Sequence, residues 1–554
     1  MKQIFLIISF VVLSTTILSL KSVANNAVCE IEGGAQYATI DAALAAVPAN
    51  TPTTIRLLQS INRTTTLFIS GSKKITLNMN GFDLNINVTT QINGAALEVK
   101  QSSSLTTTGS GTFNASGFIY GIYATEGAIV DITGDVSATG GYSTSYGSTT
   151  GVYAYGSAGN HVVVTVNGNV SGYVGVNTLS SSEISVNGNI SGVSYAGSAR
   201  FGGFLSVSGD ANSTGLGNCI EVTSATAHIG GNVTSSGENS SAIYAGSSST
   251  ITVGGNVNGV LHGITAQGGN VKVTGNVVSV SSATNYTVSS SNSAQVEVGG
   301  SVIGNGDVGV LAETSSKVTV TGKIQSYYCG IRVSQSGEVF AKGDVVADGT
   351  VGVGVNAYSL GKATIDGTIN AYKNMVFGES EGSPVIPSTK EGFLTYSDGV
   401  DNTSYVWIKD PSKQKSFIIS NEDGLIDELI RAGLGEKNLY EILVILQSYL
   451  TDRIPDNFIA NLASSSADKE VFTTPLSNFA GTNMCVGISA NGTIFIVPIS
   501  FRAYYDNKEF MFYSFAHNHA GRVKLLSVVD PDQSPAVLIQ GETASDFIIS
   551  AIMW

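Results

Sequence analysis

A strand-sized pattern, apolar-x-apolar-x-Gly-x-apolar, recurs eleven times between Val130 and Ile369. It runs from VDITGDV at 130–136 through VTVNGNV at 164–170, ITVGGNV at 251–257 and VTVTGKI at 318–324 to ATIDGTI at 363–369. The anchor glycines, from Gly134 to Gly367, are spaced 20 to 25 residues apart, with one longer step of 34. Period-two alternation predicts a strand buried on one face, and Gly followed by Asn or Asp predicts a tight corner. Each repeat carries a second strand signal, as in GIYA (121–124), GVYA (151–154), AIYA (242–245) and GIRV (330–333). Two or three short strands per coil, stacked at a period near 22 residues, predict a parallel β-helix solenoid. Leucine-rich repeats are excluded because the helix-forming half is missing, and calcium-binding nonapeptide repeats because GGxGxD never occurs.

The flanks read differently. Lys2, an apolar run from Ile4 to Leu20 and the small-x-small site Ser22-Val23-Ala24 predict a signal peptide over 1–24. The run is too short and too interrupted for a membrane span, so no transmembrane segment is expected after cleavage. Within YATIDAALAAV, Thr39 is placed to cap a short helix with Ile40, Ala43, Leu44 and Val47 on one side. Such a helix would cover the open edge of the first coil. The expected organisation is an N-terminal cap with early irregular coils over 25–110, a regular parallel β-helix over 111–378 and a linker or exit segment over 379–411. A C-terminal α+β domain is expected over 412–554, with helices near 422–432 and 436–450 and strands around 484–515 and 522–529.

Charge narrows the partners. The 554 residues are 12% charged, include 65 glycines and carry a net −14; they are too apolar for disorder. Between Lys100 and Lys317 the only cations are Arg200 and Lys272, against ten acids, so no phosphate-tracking stripe exists and nucleic acid is not an expected partner. Of the four cysteines, Cys219 and Cys329 fall on the same repeated strand about five coils apart, roughly 24 Å at the spacing of paired strands. That is far beyond bridging distance, and free thiols are expected.

The strand repeats and the YATIDAALAAV opening resemble secreted bacterial right-handed parallel β-helix proteins of the pectin-lyase-like fold, especially surface and adhesin-like members, over roughly residues 34–378. The resemblance implies a mainly β fold and a secreted or cell-surface address. It leaves activity open, because the fold hosts lyases, hydrolases, adhesins and scaffolds. Polygalacturonase-like members carry Asn-Thr-Asp, Asp-Asp, Gly-His-Gly and Arg-Ile-Lys on successive coils; the nearest strings here are LHG at 261–263 and GIRV at 330–333. Catalytic residues, metal ligands and cofactors are therefore not expected. An exported, non-enzymatic surface protein that binds a host or environmental glycan or a surface protein, in association with the cell envelope, is the leading expectation. A polysaccharide lyase or glycoside hydrolase and a purely structural envelope component are the alternatives.

The most unusual local feature is aromatic. Seven of 22 tyrosines fall within 120–173. Tyr123 and Tyr153 occupy the same outward position on neighbouring coils, and the insertion TGGYSTSYGSTT (139–150) accounts for the long step. Tyr123, Tyr142, Tyr146, Tyr153 and Tyr155 are the candidate binding residues, since tyrosine supplies rigid amphipathic area at small entropic cost. The competing reading is that outward tyrosines only stack on each other and stiffen the sheet. The Asn after the glycine, at Asn169, Asn189, Asn232, Asn256 and Asn276, reads as an internal amide ladder satisfying turn backbone, in preference to a glycan-binding ladder, and His517-Asn518-His519 as a solvated turn.

Overall fold

The computed structural model of the chain describes residues 27–410, except 91–93, 145–146, 239, 282–284 and 400–402, and beyond them Glu436 and seven strands between Phe417 and Val537. It divides into two compact units, one running to Pro384 and including Tyr396–Val406, the other holding Val385–Thr395 and the chain from Trp407 onward. The first unit is a β-solenoid of about 14 parallel, stacked turns.

Each coil contributes three strands to three faces. In one coil, Thr250–Val253 lies on the first face, Val257–Gly259 on the second and His262–Gln267 on the third. Each strand pairs in parallel with its equivalent one coil on, Thr250 with Asn270, Val257 with Val277 and Ile264 with Val288. The alternation read from the sequence sets what points inward: Ile251, Val253, Val257 and Ile264 are all 2% exposed or less. The outward column of the first face runs Thr165, Ser185, Ser206, His228, Thr252, Lys272, Glu297 and Thr319, as the pattern predicts.

The anchor glycines are required by close approach. The Gly255 amide donates to the Gly231 carbonyl at 3.1 Å, and Gly275 to Gly255 at 3.1 Å. A Cβ on Gly255 would meet that carbonyl oxygen at 2.8 Å and Asn232 Oδ1 at 2.6 Å. One residue on, a second ladder climbs the same corner. The Asn256 amide donates to Asn232 Oδ1 at 2.9 Å and the Asn276 amide to Asn256 Oδ1 at 2.8 Å. The ladder satisfies turn backbone as expected, with bonds from backbone N–H to side-chain oxygen, but its expected internal location is corrected: Asn169, Asn189, Asn256 and Asn276 are exposed. Only an acceptor is needed, so Asp135, Asp210 and Ser301 stand in the same series.

The N-terminal cap forms as its sequence predicts. Ile40–Ala46 is helical, Thr39 accepts from the Ala42 amide at 3.2 Å, and Ile40, Ala43 and Leu44 are buried. Cys29–Ile31 pairs antiparallel with both Gln36–Tyr37 and Pro52–Leu57, at the N-terminal edge of the first face.

Cys29, Cys219 and Cys329 are free and buried. Burial pushes the Cys219 thiol up to about 12 and those of Cys29 and Cys329 to about 11. Thiolate is the nucleophile, so Cys219 and Cys329 are expected to resist iodoacetamide at pH 8 until denaturant is added, as peptide mapping by mass spectrometry would report. Labelling of either in the folded chain would contradict this burial. The linkage has a definite sign: below the ordinary thiol value of 9.0 the stability is intact. As pH rises above it, the unfolded chain releases protons that the folded one retains, and stability falls.

In the second unit the strands described beyond residue 416 are antiparallel. Phe417–Ser420, Cys485–Ile488 and Ile494–Val497 form one sheet, and Ile499–Tyr505, Lys508–Ala516, Val523–Asp530 and Gln533–Val537 another. The helices expected over 422–432 and 436–450, save Glu436, and the pair His517 and His519 lie outside the described residues.

Candidate functional site

The third face carries an outward column of unlike residues near its N-terminal end. Register places Phe68, Glu98, Tyr123, Tyr153 and Asn177 in line on five successive coils. The Tyr123 and Tyr153 rings stack at 5.3 Å with their planes 9° apart. Tyr120, three residues before Tyr123, tilts against both, at 4.9 and 5.5 Å. The three rings thus form a compact block, half-buried by one another and by the strands beneath.

Charged groups stand beside this block. Lys100 Nζ is 3.0 Å from Glu98 Oε1 and 4.8 Å from the centre of the Phe68 ring. Burial raises the Tyr123 phenol above its usual value; Glu98 and Glu126 add to the rise and Lys100 opposes it. Burial, then the neighbouring phenols, raises Tyr153, and burial with Tyr123 raises Tyr120. Phenols held up in this way remain hydrogen-bond donors at neutral pH and are poorly matched to the role of a base.

The remaining tyrosines spread across the face. Tyr155 closes the strand Thr150–Tyr155 and is 46% exposed. Tyr142 sits in the insertion, where Tyr142–Ser143 pairs antiparallel with Gly147–Ser148; it is 61% exposed and its ring lies 5.9 Å from Tyr173. Tyr146 falls outside the described residues. The structure therefore brings Tyr123 and Tyr153 into contact and sets Tyr142 and Tyr155 apart from them, in more open positions.

No family model, curated protein or solved structure matches the chain. What it can bind is therefore argued from its own side chains. Sequence reading counts Tyr120 among the seven clustered tyrosines without making it a candidate, and misses Glu98, Lys100 and Phe68 as members of this cluster. The signal was present: AALEV (95–99) aligns with GIYA (121–124) once the third-strand register is extended into the irregular early coils.

A concavity of about 390 Å³ lies along the first face beside Ser206, His228, Thr252 and Lys272. His228 Nδ1 is 2.5 Å from Thr252 Oγ1, its ring meets Phe204 edge-on at 5.3 Å, and Lys272 is paired with Glu297 at 3.3 Å. No carboxylate lines this groove. Among the described residues no group of three or more His, Cys, Asp or Glu side chains could hold a metal ion, and no helix is long and apolar enough to cross a membrane.

Proposed function

We propose that this chain is an exported, non-catalytic binding scaffold: a right-handed β-helix of the pectin-lyase-like type, displayed at or released from a bacterial surface. Its tyrosine face takes a host or environmental glycan or a surface protein. The observation that carries the reading is the spread of aromatic side chains over coils three to five, with open rings at Tyr142 and Tyr155 flanking the packed block. Aromatic rings stack on the apolar faces of sugars, and the phenolic hydroxyls with Glu98 and Lys100 supply polar contacts. The packed block serves as the rigid floor, and the exposed tyrosines make the contacts. A lyase or hydrolase reading has one point in its favour, the nearness of Glu98, Glu126 and Lys100 to Tyr123. Against it stand the raised phenols and the engagement of Lys100 with Glu98.

A glycan-array and matrix-protein screen of the full chain tests this, with Tyr142→Ala/Tyr155→Ala as the decisive variant. Loss of at least about tenfold in affinity, with an unchanged melting temperature, is expected, since truncating an aromatic contact typically costs more than ~1 kcal/mol. Binding unaffected by the double variant would remove the tyrosine face from the reading. Release of reducing or unsaturated sugar from a bound glycan would replace the scaffold with an enzyme.

A further inference from the structure

The corner that follows each third-face strand is an internal comparison, because the same position recurs coil after coil. Continued register places Gln101, Ser180, Phe201, Ser224, Asn292 and Thr314 there. All six take the left-handed region, with φ between 45° and 55°. A bulky side chain is unfavourable on this backbone, and Phe201 is the one apolar side chain at the position among the described coils. Its ring is not buried in return; it is 68% exposed. A ring kept in water at a strained backbone position points to something it meets outside the chain.

A polar cluster stands beside it. Glu221 Oε1 accepts from Arg200 Nη2 of the preceding coil, and Glu221 Oε2 accepts from Asn218 Nδ2 at 3.2 Å. The Glu221 side chain is 14% exposed and that of Arg200 40%. Burial, then this carboxylate, raises the Tyr195 phenol above its usual value, and Arg200 opposes the rise. Among the described residues Glu221 engages Nη2 alone, so the guanidinium keeps N–H donors for a ligand. Both features continue the tyrosine face. Tyr155, Leu179 and Arg200 are in line on successive coils, so the exposed rings of Tyr155 and Phe201 stand along one corner two coils apart, roughly 10 Å.

We propose that, granted the tyrosine face as a binding surface, its ligand is a neutral, extended oligosaccharide. It runs along the coil axis from Tyr155 to Phe201, with Arg200, Asn218 and Glu221 bonding its hydroxyls. Arg200 is matched by its own carboxylate, and the other charged groups around this corner, Glu126, Glu183 and Glu238, are acids, so an anionic chain is repelled. A protein interface centres on an apolar core depleted of charge, whereas here the ion pair adjoins the exposed ring within the patch itself. Rings set apart, with guanidinium, carboxylate and amide beside them, suit sugars, whose apolar faces and hydroxyl edges recur along the chain.

The test is an array of neutral and acidic linear glycans, each printed from the disaccharide to the hexasaccharide, together with a panel of matrix proteins. The full chain is compared with Phe201→Ser, Arg200→Ala/Glu221→Ala and Tyr142→Ala/Tyr155→Ala. Phe201→Ser installs the residue that Ser180 and Ser224 already place at this corner, so it is expected to fold with an unchanged melting temperature. Affinity for a neutral chain is expected to rise with length, and Phe201→Ser to remove that rise, with a loss of about tenfold or more on the longest chain and little change on the disaccharide. Should the Arg200/Glu221 variant fail to fold, Phe201→Ser alone decides. Glycan binding that the Tyr142/Tyr155 variant loses and Phe201→Ser keeps overturns the proposal and leaves the tyrosine face standing. Preference for acidic chains overturns it as well. Binding of no glycan overturns it together with the glycan reading of that face, and a matrix protein whose binding Phe201→Ser abolishes replaces the sugar with a protein partner.

Discussion

Phe113→Ala is expected to lower the stability of the solenoid by about 3–5 kcal/mol, the range for deleting a buried aromatic ring. Phe113 is fully buried and heads the described side chains of least exposure by volume. It lies on the second face in Phe113–Gly117, paired with Leu84 below, and its carbonyl sits 2.3 Å from where a Cβ on Gly134 would be. The cost depends on how far the surroundings collapse into the void. Here collapse is restricted, because the coils on both sides are fixed by continuous strand pairing, so the upper half of the range applies. Urea unfolding with hydrogen exchange reads the effect, with protection lost first in the coils around residues 84–138. A loss below about 1 kcal/mol would mean that this end of the core is loosely packed.

Gly255→Val is the second large effect, expected at about 3 kcal/mol, the upper end of the range for forcing extra atoms into a packed site. The clash is with backbone, not with the far end of a flexible side chain: the Gly231 carbonyl carbon and oxygen both lie 2.8 Å from the added Cβ. Relief requires the two coils to separate, which breaks the Gly255-to-Gly231 hydrogen bond and strains the Asn256-to-Asn232 bond beside it. Thr250→Ala, on the outward side of the same strand and exposed, is the control and should stay within about 0.5 kcal/mol, as surface changes do. Similar melting temperatures for Gly255→Val and the control would sink the claim that close approach, rather than turn flexibility, fixes the anchor glycines.

Most of the solenoid was legible in the sequence because it is built from local alternation repeated without register error. Ile251 and Val253 inward and Thr252 outward needed no information beyond period two. The cap helix was equally plain, since Thr39 and the four apolar positions sit in nine residues. The early coils were less readable: Leu67–Ile69 and Ala95–Val99 are true third-face strands, but no anchor glycine marks their coils. That gap hid Glu98 and Phe68 from the tyrosine cluster. The stacking of Tyr123 on Tyr153 followed from register alone, whereas the tilt of Tyr120 against both rings came from packing. The corner ladder's role in satisfying turn backbone was legible from the repeated Asn, but its exposure was not, and neither was the equivalence of Asp and Ser, because all that is required is a single acceptor for the next coil's N–H.

The fixed rise between coils also makes the solenoid a ruler. The Tyr153 coil and the last third-face strand, Lys373–Val376, are ten coils apart, or roughly 48 Å at the strand spacing. Each coil touches only its neighbours, so removing one whole repeat, such as Val257–Asn276, moves the tyrosine face about 4.8 Å closer to the far end of the stack and leaves every contact within it unchanged. The separation between the tyrosine face and the far end of the stack can therefore be set in whole coils, independently of what either end carries.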